Sequence, residues 1–321
     1  MMTTNIAYGP ARLYALFLTL RPVQKEKVGT LMPFSGELVH AAFLHWLRRE
    51  VPEVATWLHD GNKRRLFTCS NLYFSQPLQP LLKAERENIH LPLDPLKTYT
   101  IRLTLLLGEL FPLFYSALMK FKANEGSTDA PSFIRLGKQL FLLEEIILTN
   151  DDPGGWTGFT SLASLVEKAR HVQFGREPLL TLEFASLTAF SRGSSNMGYG
   201  KYDLLFPLPQ AVFQNLLRRW HDIVPPELES IIDQERIERY LEEDGVVVTD
   251  YDTRAHYVHF TTHLQRGFLG TCTYQLRDPH EKTTDAALTL RQQVYLLAQL
   301  AFYCGVGHKT TMGLGQARLK A

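Results

Sequence analysis

Cysteine is scarce in this chain and poorly spaced for any framework, with Cys69, Cys272 and Cys304 the only three. Three thiols cannot complete a set of disulfides and none forms a C-x-x-C pair, which excludes a stapled scaffold and a thiolate metal knuckle and suits a reducing cytoplasm. Long apolar runs are also missing. No stretch reaches the ~20 apolar residues of a membrane span, and no early cationic segment leads into an apolar run with a cleavage site, so the expectation is a cytoplasmic protein with no membrane partner. Nor is there an excess of either charge: 34 Lys and Arg stand against 33 Asp and Glu, for a net charge of +1. Contact with a polyanion therefore has to come from a local basic patch, offset by acidic stretches such as Glu227, Glu229, Glu235, Glu238, Glu242, Glu243 and Asp244.

What is present is the composition of a globular protein, 45% hydrophobic and 21% charged over 321 residues, long enough for two ordinary domains. Arg12–Leu20 reads as a buried strand, Gly36–Glu50 as a helix, and Pro52 as the first residue of a short second helix that Asp60-Gly61 ends after His59. Further strands are expected at Leu66–Phe74 and Thr98–Leu107, a helix at Phe111–Lys122, and strand character over Phe133–Leu148. The run Thr149-Asn-Asp-Asp-Pro-Gly-Gly155 is concentrated turn chemistry and marks a domain boundary. After a helix over Phe159–His171 the pattern repeats: strand Leu179–Phe190, helix Pro209–Asp222, acidic helix Pro226–Glu243, strands Val246–Thr262 and Gly270–Leu276, helix Asp285–Tyr303, strand Leu314–Leu319. Each half reads β-α-β-β-α-β, which predicts an α+β fold of two tandem ferredoxin-like domains, the element order also used by RNA-recognition motifs. The domains are expected at 1–150 and 176–321, with a connecting segment at 151–175.

The last twenty residues carry the densest signal. Gly305, Gly307, Gly313 and Gly315 form two G-x-G pairs around His308, Lys309, Thr310 and Thr311. Glycines lack Cβ and accept positive φ, so such a loop can turn backbone N–H groups toward an anion while Lys309 and His308 add charge. An NTPase phosphate loop is excluded, since it needs Gly-Lys-Ser/Thr between a strand and a helix, whereas His308-Lys309-Thr310 follows a helix and precedes a strand. A glycine-rich turn with no ligand is the plain alternative.

A second cluster begins at His59, where a helix end is followed by Lys63, Arg64 and Arg65. An imidazole there can exchange a proton near neutral pH while the cations stabilise phosphate charge, which suits attack of a ribose 2′-hydroxyl on its own phosphate. The same residues also fit a helix cap and a solvated turn. Arg192 and Lys201 bracket a glycine- and serine-rich loop suited to single-stranded RNA, and Arg266 offers a further phosphate contact. His45 shares a face with Arg48 and Arg49 and can reach RNA, whereas His40 lies at the edge of the apolar arc. His256, His259 and His263 alternate across a strand, so no metal site is expected, and no cofactor is called for.

Three separated segments together resemble one family, the CRISPR-associated endoribonucleases of the Cas-six type within the repeat-associated mysterious protein superfamily. Gly305-Val-Gly307-His-Lys-Thr-Thr-Met-Gly313-Leu-Gly315 matches its glycine-rich signature. Phe206-Pro-Leu-Pro209 with Arg219-Trp220, and Gly267-Phe-Leu-Gly270, look like its middle blocks. Ala55-Thr-Trp-Leu-His59 with Leu66-Phe-Thr-Cys-Ser70 looks like its N-terminal block. The resemblance implies repeat-RNA binding and metal-independent cutting of precursor CRISPR RNA, giving 2′,3′-cyclic phosphate and 5′-hydroxyl ends. It places His59 where members have a histidine and Arg65 where they have a basic residue; from the cationic cluster itself, Lys63 or Arg64 is a further candidate to stabilise the phosphate. A helper tyrosine of some members falls at Leu44. The partners it implies are the CRISPR repeat and interference-complex subunits, for a monomer or homodimer; some members bind without cutting.

Overall fold

The computed structural model describes residues 12–23, 27–59, 66–123, 133–149, 154–193, 198, 200–278 and 288–320. The chain divides into two compact units. The first comprises residues 1–159 together with 258–263 and 311–313, and the second comprises 160–257, 264–310 and 314–321.

In the first unit, β1 (Arg12–Pro22), β2 (Thr30–Leu31), α1 (Gly36–Glu50), α2 (Pro52–His59), β3 (Phe67–Cys69), α3 (Leu78–Arg86), β4 (Leu91–Pro92), β5 (Tyr99–Leu105), α4 (Leu110–Ala123), β6 (Ile134–Leu136) and β7 (Gln139–Ile147) follow in order. The strands align as β3-β5-β1-β7-β6, while β2 and β4 pair separately. The almost continuous apolar run of β1 now has its reason. Flanked antiparallel by β5 and β7, with Leu18 opposite both Ile101 and Ile146, it is an interior strand with both edges covered. Helix α1 buries Val39, Phe43, Trp46 and Leu47 at helical spacing. Phe43 packs on Phe67 at 4.3 Å and on Phe114 at 5.2 Å between ring centroids. Leu44 is buried in the same core. Arg102 is also buried, which a charge tolerates only when paired; its Nε donates to the Trp156 carbonyl at 2.8 Å and its guanidinium lies 5.2 Å from the Trp156 ring centre.

The segment Val258–His263 belongs to this unit and is received by two carboxylates. Glu85 Oε1 accepts from the His259 backbone at 2.5 Å and lies 2.9 Å from His259 Nδ1. Glu37 Oε2 accepts from the Thr261 N–H at 2.8 Å and its hydroxyl at 2.9 Å. Strand β8 (Gly158–Ser161) pairs with β1 and leads out of the unit.

The second unit runs α5 (Leu162–His171), β9 (Leu179–Thr188), β10 (Phe190–Arg192), β11 (Tyr202–Leu204), α6 (Pro209–Ile223), α7 (Gln234–Glu242), β12 (Val246–His259), β13 (Leu264–Leu276), α8 (Leu290–Cys304) and β14 (Ala317–Leu319). Its sheet order is β12-β13-β9-β14. With β9 as first strand and β14 as fourth, this is the ferredoxin-like arrangement, and β7-β1-β5-β3 repeats it in the first unit. Both β-α-β-β-α-β orders expected from the sequence are therefore present, and the chain is α+β.

Element ends differ from expectation where a cap intervenes. The acidic helix read over Pro226–Glu243 is a 3-10 turn, Pro226–Ile231, followed by α7, because the Asp233 side chain accepts from the Arg236 N–H at 3.1 Å and starts a new helix. Helix α8 starts at Leu290 rather than Asp285, set by a capping box between Thr289 and Gln292. The segment 151–175, expected as a connector, contains β8 and α5. All three cysteines are buried. Burial pushes the Cys272 thiol up to about 11 and that of Cys304 up to about 12, the latter against the opposing charge of Arg219. Neither thiol is a thiolate nucleophile at neutral pH. Among the described residues, no helix is long and apolar enough to cross a membrane.

Candidate RNA-binding site

The glycine-rich loop begins where α8 ends, with Gly305 at φ 66° as its C-cap. Gly305, Gly307, Gly313 and Gly315 are all buried, and their missing side chains make room for other backbone. A Cβ on Gly315 would run into the Val306 carbonyl, one on Gly305 would lie 2.7 Å from the Gly315 carbonyl, and one on Gly307 would lie 2.5 Å from the Ala189 carbonyl. Hydrogen bonds close the same seam: Val306 N–H to the Gly315 carbonyl and Gly315 N–H to the Leu187 carbonyl, each at 2.8 Å. In the first unit, a Cβ on Gly313 would lie 3.0 Å from Gly36 Cα, and the Gly313 N–H donates to the Cys69 carbonyl at 3.1 Å. These glycines permit backbone-on-backbone packing, with φ between 66° and 89° at all four.

Two side chains on α6 fix the loop from beneath. Asn215 takes the Gly307 N–H on Oδ1 at 2.9 Å and donates from Nδ2 to the Gly307 carbonyl at 3.4 Å. One turn on, the buried Arg219 donates from Nη2 to Thr310 Oγ1 at 3.0 Å. The loop's polar side chains, His308 and Lys309, are half-buried. Lys309 Nζ donates to Gln265 Oε1 at 2.6 Å, Gln265 Nε2 donates to Asp203 Oδ2 at 2.8 Å, and His308 Nδ1 lies 3.8 Å from Asp203 Oδ1. Residues from the loop, β11 and β13 thus form one hydrogen-bonded cluster.

Next to members of this cluster in the chain stand basic residues singled out in the second half of the sequence. Arg266 is exposed beside Gln265, and Arg192 is paired across the β10–β11 hairpin with Tyr202, which follows the exposed Lys201. Tyr202 itself is 61% exposed, an open aromatic face beside cations. Charge for phosphates and a ring for bases are the two parts of a single-strand binding surface. Sequence reasoning missed Asp203, Gln265, Asn215 and Tyr202. Only Asn215 left a trace, as a polar residue one turn before Arg219 on α6.

Lys309 has φ 56°, a left-handed conformation that disfavours side chains. Lys309→Gly is thus a cleaner substitution than alanine. It removes the charge and relieves the backbone, so the unfolding free energy should stay within about 1 kcal/mol of wild type. RNA affinity should fall, and the slope of log affinity against log salt should flatten by about 0.7 to 0.9 for one lost phosphate contact. Filter binding across a salt series checks this; an unchanged slope in the folded variant would make Lys309 purely structural.

In the first unit, His59 is the final residue of α2. Lys63, Arg64 and Arg65 lie outside the described residues. His40 is buried and stacked on Phe67 at 5.6 Å, while His45 is exposed on α1. Among the described residues, no group of three or more His, Cys, Asp or Glu side chains is placed to hold a metal ion.

Two tandem ferredoxin-like units, the second carrying a buried glycine-rich loop after its last helix, define an α+β protein with the element order of RNA-recognition motifs. Residues 182–317 match the family model for the CRISPR-associated endoribonuclease Cas6. A CRISPR-associated endoribonuclease Cas6 of Streptococcus thermophilus is 29% identical over 123 residues, 38% of this chain and 44% of that protein. The alignment thus spans less than half of that relative. Among solved structures, the Cas6 (TTHB231) product complex superposes with a TM-score of 0.70 at 25% identity, covering 96% of this chain and all of that one. The Cas6 (TTHA0078) product complex superposes at 0.64 and 23% identity, covering 97% and 100%. Over residues 182–317 the chain is thus similar to the Cas6 family, and over its length it shares the fold of these Cas6 structures.

Proposed function

We propose that this protein binds CRISPR repeat RNA and cuts precursor CRISPR RNA without a metal ion, the 2′-hydroxyl attacking the adjacent phosphate to leave 2′,3′-cyclic phosphate and 5′-hydroxyl ends. The observation that carries the reading is the Lys309–Gln265–Asp203–His308 cluster, which lies within the segment matched by the Cas6 family model. Lys309, Arg192, Lys201 and Arg266 hold the phosphates, with His308 beside them. The four glycines serve by fixing the loop that carries His308 and Lys309. Proton transfer is assigned to His59, with Arg65 stabilising the developing phosphate charge and Lys63 and Arg64 adding to it. No cofactor is required by this chemistry, and the reaction belongs to the cytoplasm, where the transcript is.

One observation favours a second reading, capture of repeat RNA without cutting. Leu44, where some relatives carry a helper tyrosine, is an apolar core residue here and supplies no proton or hydrogen bond. Incubating the protein with end-labelled repeat RNA in excess chelator separates the two. Cleavage at one position with a cyclic phosphate product is the expected result. Tight, specific binding with intact RNA would establish the capture role, and cutting only after a divalent ion is added would overturn the mechanism.

A further inference from the structure

The first unit contains a groove that the proposed reaction leaves unused. It has a volume of about 540 Å³, within the usual range of small-ligand pockets, about 300–1,000 Å³. Its walls follow from element geometry. On α1, Leu38, Ala41 and His45 are spaced three and four apart and form one stripe, with Arg49 a turn beyond His45. Opposite them stand Phe133 and Arg135, two residues apart at the start of β6 and so on the same side of the strand. Strand β6 is the edge of its sheet, so the groove opens to solvent. Ala41, Ala42 and Gly137 are the small residues of its lining.

The chemistry of the walls is divided. Leu38, Ala41 and Phe133 give an apolar floor with one aromatic ring; His45, Arg49 and Arg135 give a basic rim, and among the described residues no carboxylate lines the space. A ligand that satisfies both needs a flat apolar face and an anionic edge.

We propose that this groove holds an unpaired nucleotide of the RNA, its base laid against Phe133 and the apolar floor and its phosphates at Arg49 and Arg135. The nucleotide must be unpaired, because a base inside a duplex has no face to offer. The proposal rests on the RNA-binding reading above and adds to it a second contact, on α1 and β6 rather than on the glycine-rich loop.

Two exposed positions test it. Ala41→Trp fills the groove from a helix surface without changing charge, and Arg135→Glu reverses charge at the edge strand. Folding is checked by thermal melts. The probes are the hexanucleotides rA6 and rU6, followed by fluorescence anisotropy, together with repeat RNA and a 4-thiouridine hexamer for crosslinking. Each variant should bind the hexamers about tenfold more weakly, and the wild-type crosslink should map to the peptide containing Phe133 and Arg135 and vanish in Ala41→Trp. Wild-type hexamer affinity in both folded variants, or a crosslink elsewhere, would overturn the groove while leaving repeat cleavage standing. Failure of the wild type to prefer repeat RNA, with hexamer binding still lost in Ala41→Trp, would sink the repeat reading and uphold the groove. A change in sedimentation of Ala41→Trp with RNA binding unaltered would assign the groove to protein contact and overturn the proposal.

Discussion

His59→Ala should slow cleavage of a single repeat by about 10²- to 10⁴-fold, the usual cost of losing a general acid or base, while leaving RNA affinity close to wild type. The motivation is a titratable ring at the end of α2, followed within six residues by Lys63, Arg64 and Arg65. Attack by a 2′-hydroxyl needs a proton removed from that oxygen and one delivered to the departing 5′-oxygen, with charge on the phosphate stabilised throughout. The measurement is a single-turnover rate with protein saturating over RNA, so that binding does not enter. Replacing the scissile 2′-hydroxyl with hydrogen should abolish cutting in wild type, because the attacking atom is gone. An unchanged rate in His59→Ala would remove His59 from the chemistry and move the search to His45 and His308.

Gly315→Ala should destabilise the second unit by about 2–5 kcal/mol. Two costs combine. At φ 67° an alanine sits in the left-handed region, at about 1–2 kcal/mol, and its Cβ meets the Val306 carbonyl, an overpacking of backbone that costs typically 1–3 kcal/mol. Neither neighbour can give way, because the Val306 N–H and the Gly315 carbonyl are themselves hydrogen-bonded to each other. Chemical denaturation should show the loss in the midpoint with the slope unchanged. A variant as stable as wild type would mean that the loop opens in solution.

The strand and helix order was legible because the apolar pattern is strong where a strand is central. Both β1 and β9 announce themselves, and the ferredoxin-like pairing follows from their central places. Element ends were less legible, since they depend on single caps such as Asp233 and Thr289. The four glycines were readable as conformationally special, yet the sequence does not distinguish a positive φ that faces a ligand from one that admits another strand of backbone. That distinction lies in Ala189, Leu187 and Gly36, all distant in the chain. The cluster of Asp203, Gln265 and Lys309 was hidden for the same reason, its members being separated by 44 residues or more. His59 and its cations are proposed from local spacing alone, and Lys63, Arg64 and Arg65 lie outside the described residues.

The backbone seam of the glycine loop decides what heredity can hold fixed. Each glycine there is retained by a steric veto that acts on assembly of the domain, whether or not any RNA is ever cut. The part of the chain matched by the family model, residues 182–317, contains that seam and stops short of α2. A chain without a histidine at position 59 could therefore still match that model. Lineages of cutters and of mere carriers would then share one signature, and telling them apart would take an assay on each rather than a comparison of loops.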